Sequence, residues 1–235
     1  MYNASVRRPR NLRRHLYRGR RVECPLCRGR WRRFASLGGY RNALCPGCFA
    51  AGRHRLLWLY LERETDLLDA RHRVLHIAPE PSLSRLLAGR TNLEYLSADL
   101  DPRRGAMETF DVMAIPMADD AFDVVICSHV LEHVRDDRTA MREMRRVLAP
   151  AGVAYLPHPV STDLATTYDD PSIVTPTGRR RAYGQEDHVR LYGRDFTTRL
   201  EAAGFSVTIR GYAEELSSAE RQRYGVHGDP IFICR

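Results

Sequence analysis

From residue 72 onward, short apolar runs alternate with segments of helical spacing, and this alternation constrains the fold more than any other feature of the 235-residue chain. The runs Val74–Ala78, Leu93–Ala98, Phe122–Cys127 and Val153–Leu156 are predicted strands. Ser82–Leu87 and Asp137–Leu148 are predicted helices between them. In the second helix Ala140, Met141, Met144, Val147 and Leu148 share one face, Asp136 or Asp137 supplies the start and Pro150 the stop. A helix over Arg194–Ala203 ends at Gly204, and Phe205–Ile209 and Ile231–Cys234 read as closing strands. Strands separated by helices imply an α/β fold with a doubly wound, mostly parallel sheet. Such sheets bind ligands beyond the C-terminal ends of their strands. The stretch 157–192 carries Arg179-Arg180-Arg181, fits no regular element, and is long enough to be a functional lid.

The N-terminal part is built differently. Four of the six cysteines fall as Cys24-Pro-Leu-Cys27 and Cys45-Pro-Gly-Cys48. Paired CxxC motifs in a chain without a secretory leader favour metal over disulfides, and four thiolates at this spacing suit tetrahedral, structural zinc. Residues 23–54 hold Gly-rich turns at Gly38-Gly39 and Pro46-Gly47 but little apolar material, so a metal must supply the missing core. Residues 55–71 join this module to the rest, with Leu57, Tyr60, Leu61 and Leu68 at helical spacing. The division is therefore a basic arm over 1–22, a zinc module over 23–54, a linking helix, and an α/β domain over 72–235.

Charge follows the same division. All 37 basic residues are Arg, none is Lys, and residues 1–55 hold 15 Arg against the single acid Glu23, whereas residues 56–235 hold 22 Arg against 28 acids. The basic arm can bind phosphates of nucleic acid or be a solvated tail. Its acid-free, Arg-rich start also fits a transit peptide, although the adjoining cysteine module leaves little room for a cleavage region. No run approaches a membrane span and no apolar leader core is present, which predicts a soluble, cytoplasmic protein with no membrane partner. The oligomeric state is left open.

Asp99, in Tyr95-Leu-Ser-Ala-Asp99-Leu100-Asp101, ends the second strand 23 residues after His76, where a carboxylate can accept both hydroxyls of a ribose. The following segment, Phe110-Asp111-Val-Met-Ala-Ile-Pro116 through Phe122-Asp123-Val-Val-Ile-Cys127-Ser128-His129-Val-Leu-Glu132-His133-Val, resembles the central signature of the class I S-adenosylmethionine (SAM) dependent methyltransferases. Arg146-Val-Leu148-Ala-Pro150-Ala-Gly152-Val is similar to the element leading into their fifth strand. The resemblance covers about 72–160 well and 190–235 loosely. It implies a seven-stranded sheet, SAM as cofactor, and a pocket in which Asp99 with Leu100 holds the ribose, Asp111 the adenine amino group with Val112 against the ring, and Ser128 and His129 the methionine end. The family's glycine-rich first turn is replaced by His76-Ile-Ala78-Pro79-Glu80-Pro81-Ser82. At this turn Ala78 is small enough for close approach and Glu80 can receive the methionine ammonium, placing His76, Ala78, Pro79 and Glu80 among the expected cofactor contacts.

His133 and His188 are the candidate bases, because an imidazole near neutral pKa can take the proton released on methylation or orient the acceptor. Of the two, His133 is expected rather to brace the start of the following helix. His188 lies in the polar segment Gly184–Gly193, in the region that usually covers the acceptor. The favoured expectation is methylation of oxygen or nitrogen on a small-molecule, saccharide or peptide acceptor. One alternative is a zinc-containing ribosomal RNA methyltransferase; against it, the basic region lacks the interleaved aromatics of an RNA module. The other is a non-catalytic binding module on the same scaffold.

Overall fold

The structure, a computed structural model, describes residues 16–37 and 40–235. Most of the expected basic arm, and the Gly38-Gly39 turn, lie outside the described residues. In chain order the elements are β1 (Arg18–Glu23), β2 (Arg30–Trp31), β3 (Ala35–Leu37), β4 (Tyr40–Leu44), α1 (Gly52–Glu64), β5 (His72–Ile77), α2 (Pro81–Ala88), β6 (Leu93–Asp99) and β7 (Glu108–Thr109). They continue with β8 (Phe122–Cys127), a 3-10 turn at Leu131–His133, α3 (Asp137–Val147), β9 (Leu148–Pro157), α4 (Pro176–Tyr183), α5 (Phe196–Ala202), β10 (Val207–Arg210), α6 (Tyr212–Glu215), α7 (Ser218–Tyr224) and β11 (Ile231–Cys234). Contacts divide the chain into two compact units. One comprises the described residues up to Leu68 with Glu80–Leu86 and Tyr212–Gly228, and the other is Asp69–Pro79, Leu87–Gly211 and Asp229–Arg235.

In the first unit, β1 pairs antiparallel with β2 and β3 with β4. Part of the expected arm is thus a strand, because Val22 is buried opposite Trp31 and gives β1 an inward position. Helix α1 buries Leu56 through Leu61 in one continuous run. At its start Arg55 is fully buried and donates to the carbonyls of Ala50 (2.6 Å), Asn42 (3.1 Å), Tyr224 (2.7 Å) and Gly225 (2.7 Å). Its guanidinium carbon lies 3.9 Å from the centre of the Phe34 ring. Burial pushes Arg55 down to about 10, against the pull of the neighbouring cysteine sulfurs. Gly225 has φ 58°, and a Cβ there would stand 2.4 Å from Phe34, so both backbone and space demand glycine.

The second unit contains one seven-stranded sheet in the order β10-β11-β9-β8-β5-β6-β7. From β9 to β7 all neighbours are parallel, and only β11 runs antiparallel to both its neighbours. The central strands read as unbroken apolar runs because both of their faces are buried. Alternate residues Leu75, Ile77, Val125, Cys127, Ala154, Leu156 and Phe232 share one core with Ala140, Met141, Met144 and Val147 of α3 and Phe196 and Leu200 of α5. Asp136 caps α3 by accepting from the Thr139 amide at 3.0 Å, as its sequence implies.

Several elements differ from the sequence expectation. The strand expected at 153–156 spans Leu148–Pro157, with its register shifted between Phe122 and Val124 to take in Pro150 to Gly152. The stretch 157–192 contains a helix, α4: Thr175 accepts from the Gly178 amide at 3.1 Å, Pro176 follows, and Gly184 closes the helix at φ 88°. Polarity hid it, since Arg179-Arg180-Arg181 offers no apolar stripe, although its cap residues are readable. Helix α7 likewise lacks a strong stripe but carries the Ser217-x-x-Glu220 capping box, closed by 3.2 Å bonds in both directions.

Candidate active site and metal centre

The strand order reverses at β5, so consecutive crossovers leave to opposite sides and open a crevice at the C-terminal ends of β5 and β8. The expected cofactor residues converge on that end of the sheet. Ala78 and Pro79 follow β5, Asp99 ends β6, Asp111 and Val112 follow β7, and Ser128 and His129 follow β8. Ala78 takes φ 47° and His129 φ 53°, so both turns use a left-handed residue where family members use glycine at the first. Asp99 is buried, and its Oδ1 accepts from the Asp101 amide at 2.9 Å. Its Oδ2 lies 4.0 Å from the exposed Arg104 guanidinium. Asp111 accepts from the Met113 amide at 2.9 Å, which orients its carboxylate. Leu100 is exposed.

Beyond β8 and β9 stands a cluster of imidazoles and carboxylates. His133 and His188 meet edge to face with ring centres 4.7 Å apart. Glu132, 3% exposed, lies between histidines: its Oε1 is 3.7 Å from His129 Nδ1 and its Oε2 3.5 Å from His158 Nδ1. His129 Nε2 is in turn 3.3 Å from Asp229. Burial pushes the His158 imidazole down to about 4 and lowers His188 as well, the nearby Glu132 opposing both shifts. The His158 ring is therefore neutral at pH 7, and burial favours the neutral form of His188. Nδ1 of His188 faces the Tyr183 carbonyl at 3.2 Å, which fixes the tautomer that keeps its lone pair on Nε2.

In the first unit the four expected cysteines come together. Cys24 and Cys48 sulfurs are 3.6 Å apart, as are those of Cys27 and Cys45. All four lie within 4.8 Å of one another. Four sulfurs at about 2.3 Å from one ion would be about 3.8 Å apart, so the cluster has the size of a tetrahedral zinc site. The two turns repeat one geometry. Cys24 N donates to Gly29 O and Cys45 N to Ala50 O, both at 2.9 Å, and the residues after the second cysteines, Arg28 and Phe49, take φ 55° and 63°. Gly47 donates to Cys45 Sγ at 3.3 Å, and a Cβ on it would meet Trp31 at 2.9 Å.

Comparison with known proteins agrees with this geometry. The family described as "Methyltransferase domain" matches residues 62–156. A demethylmenaquinone methyltransferase of Corynebacterium efficiens is 29% identical over 125 residues, 48% of this chain and 54% of the relative. The chain thus spans about half the length of that curated relative. Among solved structures, a SAM-dependent methyltransferase of Mesorhizobium loti superposes with a TM-score of 0.54 at 15% identity, covering 77% of this chain and 98% of that one. Residues 62–156 are thus similar to a methyltransferase domain, and the sheet has the class I methyltransferase fold. The cyclase SpnF shares the fold too, with a TM-score of 0.51, 18% identity and 86% coverage of both chains.

Two of the expected cofactor residues have protein partners of their own. His76, the last but one residue of β5, is buried with Nδ1 2.9 Å from the Tyr95 hydroxyl. The Glu80 carboxylate lies 3.8 Å from His54 Nε2. His133 meets His188 instead of bracing α3, whose cap is Asp136. Sequence reasoning passed over Glu132, His158 and Asp229. Glu132 was visible within the Leu131-Glu-His133 run, but His158 follows β9 and Asp229 precedes β11, and only folding brings them near.

Proposed function

We propose that this chain transfers the methyl group of SAM to an oxygen or nitrogen of a small-molecule acceptor. The observation that carries the reading is the convergence of Asp99, Asp111 and Ser128 at the C-terminal ends of neighbouring strands beside the reversal of strand order. The donor set fits the cofactor: one buried carboxylate suits a diol, a second carboxylate a few residues past β7 suits an amine, and Val112 offers an apolar surface beside it. When bound, the cofactor supplies an electrophilic methyl group on a positively charged sulfur. Ala78 and Pro79 keep the first turn free of bulky side chains, while Ser128 and His129 flank the methionine end. His188 and His133 stand on the acceptor side, where they hold or orient the atom to be methylated. The name of the Corynebacterium relative denotes a small-molecule acceptor, which supports that class over a nucleic acid.

The four cysteines fit one structural zinc ion, which would close the two turns and leave no position for a substrate. Isothermal calorimetry with SAM, followed by measurement of S-adenosylhomocysteine formed with quinols, saccharides, peptides and RNA, tests the whole reading. Micromolar SAM affinity with turnover on a small acceptor is expected. Turnover on RNA alone would replace the acceptor class. Absence of SAM binding would leave a non-catalytic scaffold.

A further inference from the structure

We infer that Glu132, His133 and His188 form a binding site for a divalent transition-metal cation, which shares no ligand with the four cysteines. One carboxylate oxygen and one nitrogen from each ring lie within 4.8 Å of one another. Two imidazoles and one carboxylate are a donor set for zinc or iron(II) class cations, and three protein ligands leave coordination positions open. Bonding distances of about 2.0–2.2 Å would require the donors to close to about 3.4 Å. The His133 side chain is 35% accessible, and a small rotation of its ring would supply that closure.

The surroundings are those a metal site needs. Each histidine has its Nδ1 turned to a carbonyl, His188 to Tyr183 at 3.2 Å and His133 to Asp187 at 3.3 Å, so that Nε2 of each is left as the donor atom. Asp187 also brings a carboxylate oxygen to 3.5 Å from His133 Nδ1. Nε2 of His188 and Oε2 of Glu132 are buried and make no hydrogen bond, an arrangement that costs free energy unless a ligand completes it. The two segments that supply the ligands are tied together firmly. Val189 N donates to Glu132 O at 2.8 Å, and the buried Arg190 donates to the carbonyls of Leu131 (2.8 Å) and Arg135 (2.9 Å) and to that of Val134. Such bonds fix residue 188 against residues 131–135 before any ligand arrives.

The buried sides of the site are Glu132 and His188, and the open side is at His133. A cation there would accept an oxygen of the methyl acceptor on that side, a role that rests on the methyl-transfer reading. The site itself does not, so its test reads metal alone.

Untagged full-length protein, purified with zinc, is titrated with Co2+ and followed by calorimetry and visible absorption. One equivalent of Co2+ should bind with nitrogen and oxygen ligand-field bands and without thiolate-to-metal charge transfer. His188→Gln, Glu132→Gln and His133→Ala should each weaken Co2+ binding at least tenfold, and Asp187→Asn by a smaller factor, while SAM affinity and circular dichroism stay unchanged in His133→Ala. That variant, at an exposed position, keeps the test decisive should the buried substitutions disturb folding. Absence of a Co2+ equivalent outside the cysteines, or wild-type affinity in His133→Ala, overturns the proposal. Loss of SAM binding or turnover with Co2+ binding intact would refute the function and leave the metal site standing.

Discussion

The two units hold themselves together by different physics. The sheet unit buries a continuous apolar layer in which strands β5, β8, β9 and β11 share one core with α3 and α5. The N-terminal strands, by contrast, bury Val22, Leu26, Trp31, Phe34 and Leu44 around sulfur and a guanidinium. Arg55 satisfies four backbone carbonyls there, a task that an apolar core does not have. The clusters differ in the same way. Four thiols from two short sequence motifs surround one point, whereas Glu132, His133 and His188 come from segments 55 residues apart and leave a side open. A closed site suits structure and an open one suits a ligand.

The sharpest way to break this comparison is Cys45→Ser. If metal replaces a core in the first unit, this variant should lose most of its zinc by elemental analysis and its amide protection over residues 18–50, because structural zinc contributes on the order of 10 kcal/mol. Amides of β5, β8 and β9 should stay protected. Their joint loss would mean that the units do not differ in what stabilises them.

Next in size is Arg55→Met, which removes the donor from the carbonyls of Tyr224 and Gly225, each worth about 1–3 kcal/mol when left unmet, and should cost about 3–5 kcal/mol in urea unfolding. Phe196→Ala, which empties the sheet core, should cost a similar 3–5 kcal/mol through a cavity. Only the arginine variant should also weaken zinc retention. Equal retention in the two would show that Arg55 acts as generic packing.

Smaller effects sharpen the boundary within the proposed cofactor and acceptor site. Asp99→Ala removes charge-assisted hydrogen bonds and should weaken SAM binding by about 1.5–3 kcal/mol, roughly ten- to a hundredfold by calorimetry. His188→Ala should depress turnover and leave SAM affinity near wild type. The smallest change expected is that of Ala78→Gly. Relief of the positive φ is worth about 1–2 kcal/mol and the added freedom of the unfolded chain costs about 0.4–1 kcal/mol, so the variant should be neutral or slightly more stable in thermal melts.

Much of this was legible in the one-dimensional pattern, for a physical reason. Hydrophobic period and capping residues are local, so Phe122–Cys127 and Ile231–Cys234 read as strands at their observed bounds. The cysteine pairs are local too, since each CxxC closes its own turn. Helices α4 and α7 were masked by polar composition even though their caps were present in the sequence. Pairing across the chain is another matter. That Glu80 lies beside His54, that Tyr95 takes up His76, and that Glu132 and His133 wait for a histidine 55 positions on, depend on which segments the sheet order brings together. By itself the sequence determined the central strands of the sheet, the helix between β8 and β9, and the two CxxC turns. Only the tertiary structure decided which polar side chains face one another, because that depends on strand order and on burial, and neither is a property of any local window.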